Sequence, residues 1–142
     1  MKELFDVHCH MVPGVDDGAA DLEESLAMLK MQHEDGVRKI IITPHYRRRM
    51  FETPAKKVHE QFLKLQEAAK KEYPDMSLYL GCELHSNMDL QDILEKRKYV
   101  TMAGSSYVLL EFSEGDSAQH IRERVYNLSL IHISEPTRHL RI

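Results

Sequence analysis

The triplet Ile40-Ile41-Ile42 narrows the fold more than any other feature of this chain. Three β-branched residues in a row present apolar surface to both faces of a strand, and such a strand is stable where helices cover both faces, as in a parallel sheet. The flanking sequence supplies the helices. Asp21 is placed to cap a helix, with Glu24 three residues on completing a capping box. Leu22, Leu26, Leu29 and His33 follow at helical spacing, and Gly36 ends the run. A second helix is expected from Thr53, with Pro54 at its first position and an apolar stripe of Val58, Phe62, Leu65 and Ala69, stopping near Pro74. Strands are expected at Leu4 to His8, Arg38 to Thr43, Ser77 to Gly81 and Tyr107 to Phe112, with a short helix over Asp89 to Lys96 and another starting at Ser117. Strands separated by single helices imply right-handed βαβ units in one α/β domain. With 142 residues the chain is too short for a closed eight-fold barrel, which usually needs about 250.

Composition removes several function classes. No apolar run approaches the ~20 residues that span a bilayer, and the N-terminus lacks the order of a secretory signal, so a cytoplasmic protein without membrane insertion is expected. Cys9 and Cys82 are too few for a disulfide framework and suit free thiols in a reducing compartment. A net charge of −4 argues against binding to nucleic acid, whose nonspecific affinity comes from clustered Lys and Arg. Nine histidines are the anomaly.

Those histidines gather with carboxylates at the carboxyl ends of the expected strands, where parallel α/β folds bind ligands. The first strand delivers His8 and His10, then Asp16 and Asp17; the second ends in His45, the third in Glu83 and the last in Glu111. Alternate residues of an extended chain point the same way, so His8-x-His10 can turn both imidazoles to one ion. A carboxylate closing an apolar strand such as Val108-Leu109-Leu110 is costly unless it is paired or holds a cation. Each signal has a bland counterpart: a packing histidine at a strand end, a turn at Asp16-Asp17-Gly18, a loop histidine at His45, solvated carboxylates at Glu83 and Glu111. Four strands converging on one chemistry favour a metal site. His33, His59 and His120 lie on helices, and they and His85 are left outside it. Arg47-Arg48-Arg49 after His45 reads equally as a holder of phosphate or acidic peptide and as a solvated basic loop.

The phrases His8-Cys9-His10, Val15-Asp16-Asp17-Gly18, Thr43-Pro44-His45, Gly81-Cys82-Glu83 and Leu110-Glu111-Phe112 resemble the opening motifs of the polymerase and histidinol phosphatase (PHP) superfamily. Within it, Arg49-Met50-Phe51-Glu52-Thr53-Pro54 and Asp16-Asp17-Gly18 are similar to the bacterial tyrosine-protein phosphatases of capsular and exopolysaccharide operons. The resemblance covers residues 1–127, about the first half of such a protein. It implies the N-terminal part of a (β/α)7 PHP-type distorted TIM barrel, incomplete here. His8, His10, Asp17, His45, Glu83 and Glu111 would then be ligands of a cluster of up to three ions, with Glu83 bridging two and Glu83, Asp17 and His45 catalytic. The remaining His, Asp and His ligands of the family and an Arg would lie beyond Asn127. Such a cluster lowers the pKa of water to give hydroxide for attack on the phosphoryl group. Manganese is favoured by the resemblance, while mixed imidazole and carboxylate ligation also suits iron or zinc. Arg47 and Arg48 would bind substrate, a phosphotyrosyl protein, with a bacterial tyrosine kinase as partner. A cysteine-phosphatase mechanism is excluded by sequence: the position six after Cys9 is Val15 and six after Cys82 is Met88, where an Arg is needed. The alternatives are a histidinol-phosphatase-like enzyme for small phosphate esters and an inactive truncated fragment.

The segment Leu128 to Arg138 resembles a translated sequencing adapter, so residues 128–142 are expected to be a foreign tail outside the fold, with Glu135-Pro136-Thr137 breaking any arriving helix. Without it the chain carries 17 basic and 22 acidic side chains.

Overall fold

The computed structural model describes residues 3–96 and 100–133. Its elements run β1 (Leu4–Cys9), α1 (Leu22–Glu34), β2 (Val37–Ile42), β3 (His45–Tyr46), α2 (Ala55–Glu72), β4 (Ser77–Leu80), β5 (Glu83–His85), α3 (Leu90–Lys96), β6 (Leu109–Glu111) and α4 (Ala118–Ile133), with a 3₁₀ turn at Met102–Gly104. Every strand pair is parallel, in two three-stranded sheets ordered β1-β2-β4 and β3-β5-β6.

Two strands run from one sheet into the other, interrupted at the same level. Where single strands were expected, β2 passes into β3 across Thr43-Pro44, and β4 into β5 across Gly81-Cys82. Pro44 has no N–H to give the ladder, which accounts for the break. Pairing nevertheless carries across it: Thr43 N–H donates to Cys9 O at 2.8 Å, Gly81 N–H to Ile42 O at 2.8 Å and Glu83 N–H to Pro44 O at 3.0 Å. A side chain at Gly81 would press on Ile41 Cγ2 at 3.2 Å and Met102 Sδ at 3.0 Å, so glycine lets the 3₁₀ turn pack against this crossing.

Each sheet has its own core. Ile40 and Ile42 of β2, Leu78 and Leu80 of β4, Leu29 of α1 and Val58, Phe62, Leu65 and Ala69 of α2 fill the first. Leu84, Met88, Leu90, Ile93 and Val100 fill a smaller second core, with Tyr46, Val108, Leu110 and Leu128 partly buried against it.

The α2 stripe lies inside as its spacing requires, but the α1 stripe is rotated. Leu22 is exposed and Ser25 fully buried, because the Ser25 hydroxyl donates to Met11 O at 2.8 Å and so satisfies itself in the core. Asp21 caps α1 by accepting from Glu24 N–H at 2.9 Å, while the Glu24 carboxylate reaches back one residue further than a capping box requires, to Ala20 N–H. Pro54 is the N-cap of α2 and not its first helical residue; Thr53 does not cap, because its hydroxyl donates to Val15 O at 2.7 Å. Gly36, at φ 90°, ends α1 as expected. Helix α4 runs six residues beyond Asn127, to Ile133. Glu135-Pro136-Thr137 and the rest of residues 134–142 lie outside the described residues. Among the described residues no helix is long and apolar enough to cross a membrane.

Candidate metal centre

All six side chains singled out as ligands meet at the break between the two sheets. Three groups of ligand atoms each lie within 4.8 Å of one another: His8, His10 and Glu83; His10, Asp17 and His45; His45, Glu83 and Glu111. Glu83 is at the centre. Its Oε2 lies 2.9 Å from His8 Nε2, 3.1 Å from His10 Nε2 and 3.3 Å from His45 Nδ1. The expectation of a carboxylate at a strand exit is corrected here: Glu83 opens β5 just after the break, and only 8% of its surface is exposed.

The strand geometry explains the convergence. His8 lies in β1 and His10 just past its end; His45 opens β3, whose register pairs it with Glu83, and Glu111 ends β6. Asp17 approaches from the loop after β1, with its Oδ1 3.5 Å from His45 Nε2. That loop closes tightly on β1: Ala19 N–H donates to His10 O at 3.0 Å, and a side chain at Gly18 would lie 2.1 Å from the same oxygen. Glycine is obligatory there.

Asp16, absent from the expected ligand set, proves to be the organiser of the loop. Its buried Oδ2 accepts from His10 Nδ1 and from His45 N–H, both at 2.9 Å, and its Oδ1 accepts from Gly18 N–H at 3.0 Å. Burial alone would raise the Asp16 carboxyl, but these hydrogen bonds outweigh it and hold the group below the usual carboxylate value. The same bond, ahead of the opposing effect of burial, raises the His10 imidazole. With Nδ1 committed to Asp16, His10 turns Nε2 to Glu83, the arrangement in which a carboxylate orients a metal-binding histidine. The Asp16-Asp17-Gly18 phrase carried this signal, but a turn reading competes with it.

The donor set fits divalent cations. His45 Nδ1 and Glu111 Oε2 are buried without a hydrogen-bond partner, 3.6 Å apart. Buried polar atoms left in this way are costly unless something of opposite character lies between them, and a cation satisfies a neutral imidazole nitrogen and a carboxylate together. Imidazole with carboxylate suits manganese, iron or zinc.

The remaining expectations fall around this centre. His85 is buried, accepting from Asn87 N–H at 3.1 Å and sharing a 3.0 Å hydrogen bond with Ser113 Oγ, and it belongs to none of the three groups. The half-buried Arg47 lies at the rim, 3.8 Å from Glu111 Oε1, whereas Arg48 is exposed and its N–H donates to Met88 Sδ. Neither cysteine is in a disulfide among the described residues, and burial, with Asp6 and Asp16 nearby, pushes the Cys9 thiol up to about 12, which disfavours the thiolate that nucleophilic attack needs.

Fold and site define a class: parallel α/β proteins with a cluster of histidines and carboxylates at the carboxyl ends of the strands. The chain belongs to the CpsB/CapC family of capsular polysaccharide synthesis, whose family model matches residues 4–133. It is 37% identical over 137 residues to the tyrosine-protein phosphatase CpsB of Streptococcus pneumoniae, covering 96% of this chain and 56% of that protein. With YwqE of Bacillus subtilis, also named a tyrosine-protein phosphatase, identity is 28% over 127 residues, 89% of this chain and 50% of the relative. A solved structure from work describing YwqE and CpsB as metal-dependent tyrosine phosphatases superposes with a TM-score of 0.79 at 28% identity, covering 89% of this chain and 51% of that one. The chain thus spans about half the length of the relatives it matches.

Proposed function

We propose that this chain carries the metal-holding part of a metal-dependent phosphotyrosine-protein phosphatase that serves capsular or exopolysaccharide synthesis. The observation that carries the reading is Glu83, one carboxylate oxygen facing three imidazoles, in a chain related to phosphatases whose solved structures are described as metal-dependent. In this reading His8, His10, Asp17, His45, Glu83 and Glu111 are the ligands, and residues 1–127 are the first part of a (β/α)7 barrel whose other strands come from the missing half. Residues 128–142 are a foreign tail, of which 128–133 continue α4. Manganese is the cation we expect, the cytoplasm the compartment and a bacterial tyrosine kinase the phosphorylated partner.

Divalent cations bound there supply Lewis acidity, which makes water acidic enough to deprotonate near neutral pH and offsets phosphoryl charge. The protein's own groups set the geometry. Asp16 fixes the His10 tautomer, Glu83 places negative charge at the centre, and Arg47 stands at the rim where a phosphate oxygen can be met. A histidinol-phosphatase-like activity is the second reading; the relatives' names, tyrosine-protein phosphatase, weigh against it.

The test is hydrolysis of phosphotyrosyl peptide and of histidinol phosphate by this chain and by a version extended to the relatives' length, with manganese and with chelator. We expect chelator-sensitive, vanadate-tolerant turnover of the peptide that survives Cys9→Ser. Preference for histidinol phosphate would replace this reading with the second. An inactive 142-residue chain beside an active extended one would mean that the fragment lacks part of the machinery.

A further inference from the structure

The imidazole of His45 is the middle of a three-ring stack. His10 lies on one side, with centroids 4.3 Å apart and planes at 28°, and Phe51 stacks against it at 5.1 Å and 15°. His10 is held by Asp16, but Phe51 lies six residues after His45 in a segment that assigns it no chemistry, and its position is set with unusual care. Arg47 and Phe51 form an antiparallel bridge, each N–H donating to the other's carbonyl at 2.9 Å. The turn between them uses Arg49 in the left-handed region, φ 64°, with its N–H donating to Glu52 Oε2 at 3.1 Å. Arg48 N–H is held by Met88 Sδ, and the Thr53 hydroxyl ties the exit to Val15 O beside Asp16. A left-handed non-glycine residue is strained, so this hairpin is maintained by the contacts around it.

We infer that Phe51 is a positioning residue for His45: the Arg47–Phe51 hairpin folds a flat aromatic face back onto the imidazole and fixes the ring rotation that aims Nδ1 at Glu83 and Glu111 and Nε2 at Asp17. The need is geometric. The terminal torsion of histidine is broad, and the His45 nitrogens meet carboxylates only at 3.3–3.6 Å, without a bond as short as the 2.9 Å from His10 Nδ1 to Asp16, so stacking adds the constraint that these looser contacts leave open. Two stacked faces do this without occupying either nitrogen. Two of the three candidate groups, His10–Asp17–His45 and His45–Glu83–Glu111, depend on that angle, and the third does not include His45. This inference rests on reading His45 as a metal ligand.

The test uses the 142-residue chain and two variants, Phe51→Leu, which keeps apolar bulk without a flat face, and Phe51→Tyr, which restores the face. In metal-free wild-type protein the His45 ring protons should show the ring-current shift of a stacked aromatic by NMR, which Phe51→Leu abolishes and Phe51→Tyr retains. Calorimetric titration with Mn2+ should show affinity weakened about 10- to 100-fold in Phe51→Leu, the range for residues that orient ligands, and within threefold of wild type in Phe51→Tyr. Wild-type affinity in Phe51→Leu, or no ring-current shift in the wild type, overturns the inference. The wild-type spectrum decides the stacking even if Phe51→Leu fails to fold. Mn2+ taken up neither by this chain nor by a version extended to the relatives' length overturns the metal reading and this inference together, whereas wild-type uptake with an unweakened Phe51→Leu overturns this inference alone.

Discussion

Glu83 and His85 share a strand, are both buried and stand two residues apart, yet their surroundings separate them. Glu83 faces three imidazoles, and replacing it by Gln keeps the shape while removing the negative charge that a cation needs. His85 spends both nitrogens on Asn87 and Ser113. We therefore expect Glu83→Gln to weaken manganese binding by more than the ~10–100-fold typical of orienting groups, and His85→Gln to leave it within threefold, in calorimetric titration. Unfolding in urea should show the reverse burden, His85→Gln losing about 1–3 kcal/mol through an unsatisfied buried group. Both outcomes turn on information the sequence holds unevenly. His8, His10, His45, Glu83 and Glu111 announce themselves as polar residues at the ends of apolar strands. Asp16 does not, because its role depends on three donors brought to it by the folded loop, and an Asp before Asp-Gly looks like a turn.

At the scale of elements, left-handed strain falls in the Arg47–Phe51 hairpin, at Arg49, and in the 3₁₀ turn, at Ala103 with φ 53°. Arg49→Gly relieves the left-handed cost while adding glycine's chain entropy, so a net gain of up to about 1 kcal/mol is expected in urea unfolding, with manganese affinity unchanged. The helix α2 was legible because its stripe of Val58, Phe62, Leu65 and Ala69 repeats at 3.6 residues and all four are buried. The division of β2 from β3 and of β4 from β5 was not. Local pattern marks Ile40-Ile41-Ile42 as a strand and Pro44 as a stop, but that pairing resumes two residues later depends on Pro44 O accepting from Glu83, 39 positions along the chain. The strands β3 and β5, of two and three residues, leave too little periodicity to read, whereas β6 falls inside the strand expected over Tyr107 to Phe112.

In the molecule as a whole, the end away from the metal centre is tied by Asp75, which meets His33 Nε2 at 3.0 Å and Arg38 Nε at 2.9 Å and so links α1, β2 and the turn before β4. The His33 hydrogen bond in particular lowers the Asp75 carboxyl from its ordinary value of 3.8. A depressed carboxylate contributes stability above its unfolded value and loses it as pH falls through the folded one. Asp75→Asn should therefore lower the urea midpoint at neutral pH, and the two proteins should converge below about pH 4, a small effect because the group is exposed. At the opposite end, the twin interruption of the strands has a consequence for how the molecule opens. Covalently the two sheets are continuous, but each rests on a separate apolar cluster, and the smaller one lies under β3, β5 and β6. Amide exchange with deuterium should then reveal two cooperative units, with β2 and β4 slow and the rim strands fast. Adding manganese should slow exchange in the rim unit and at the His8 end of β1 and leave β2 and β4 nearly untouched, so that the cation acts as the missing share of a core for the rim strands that help to hold it.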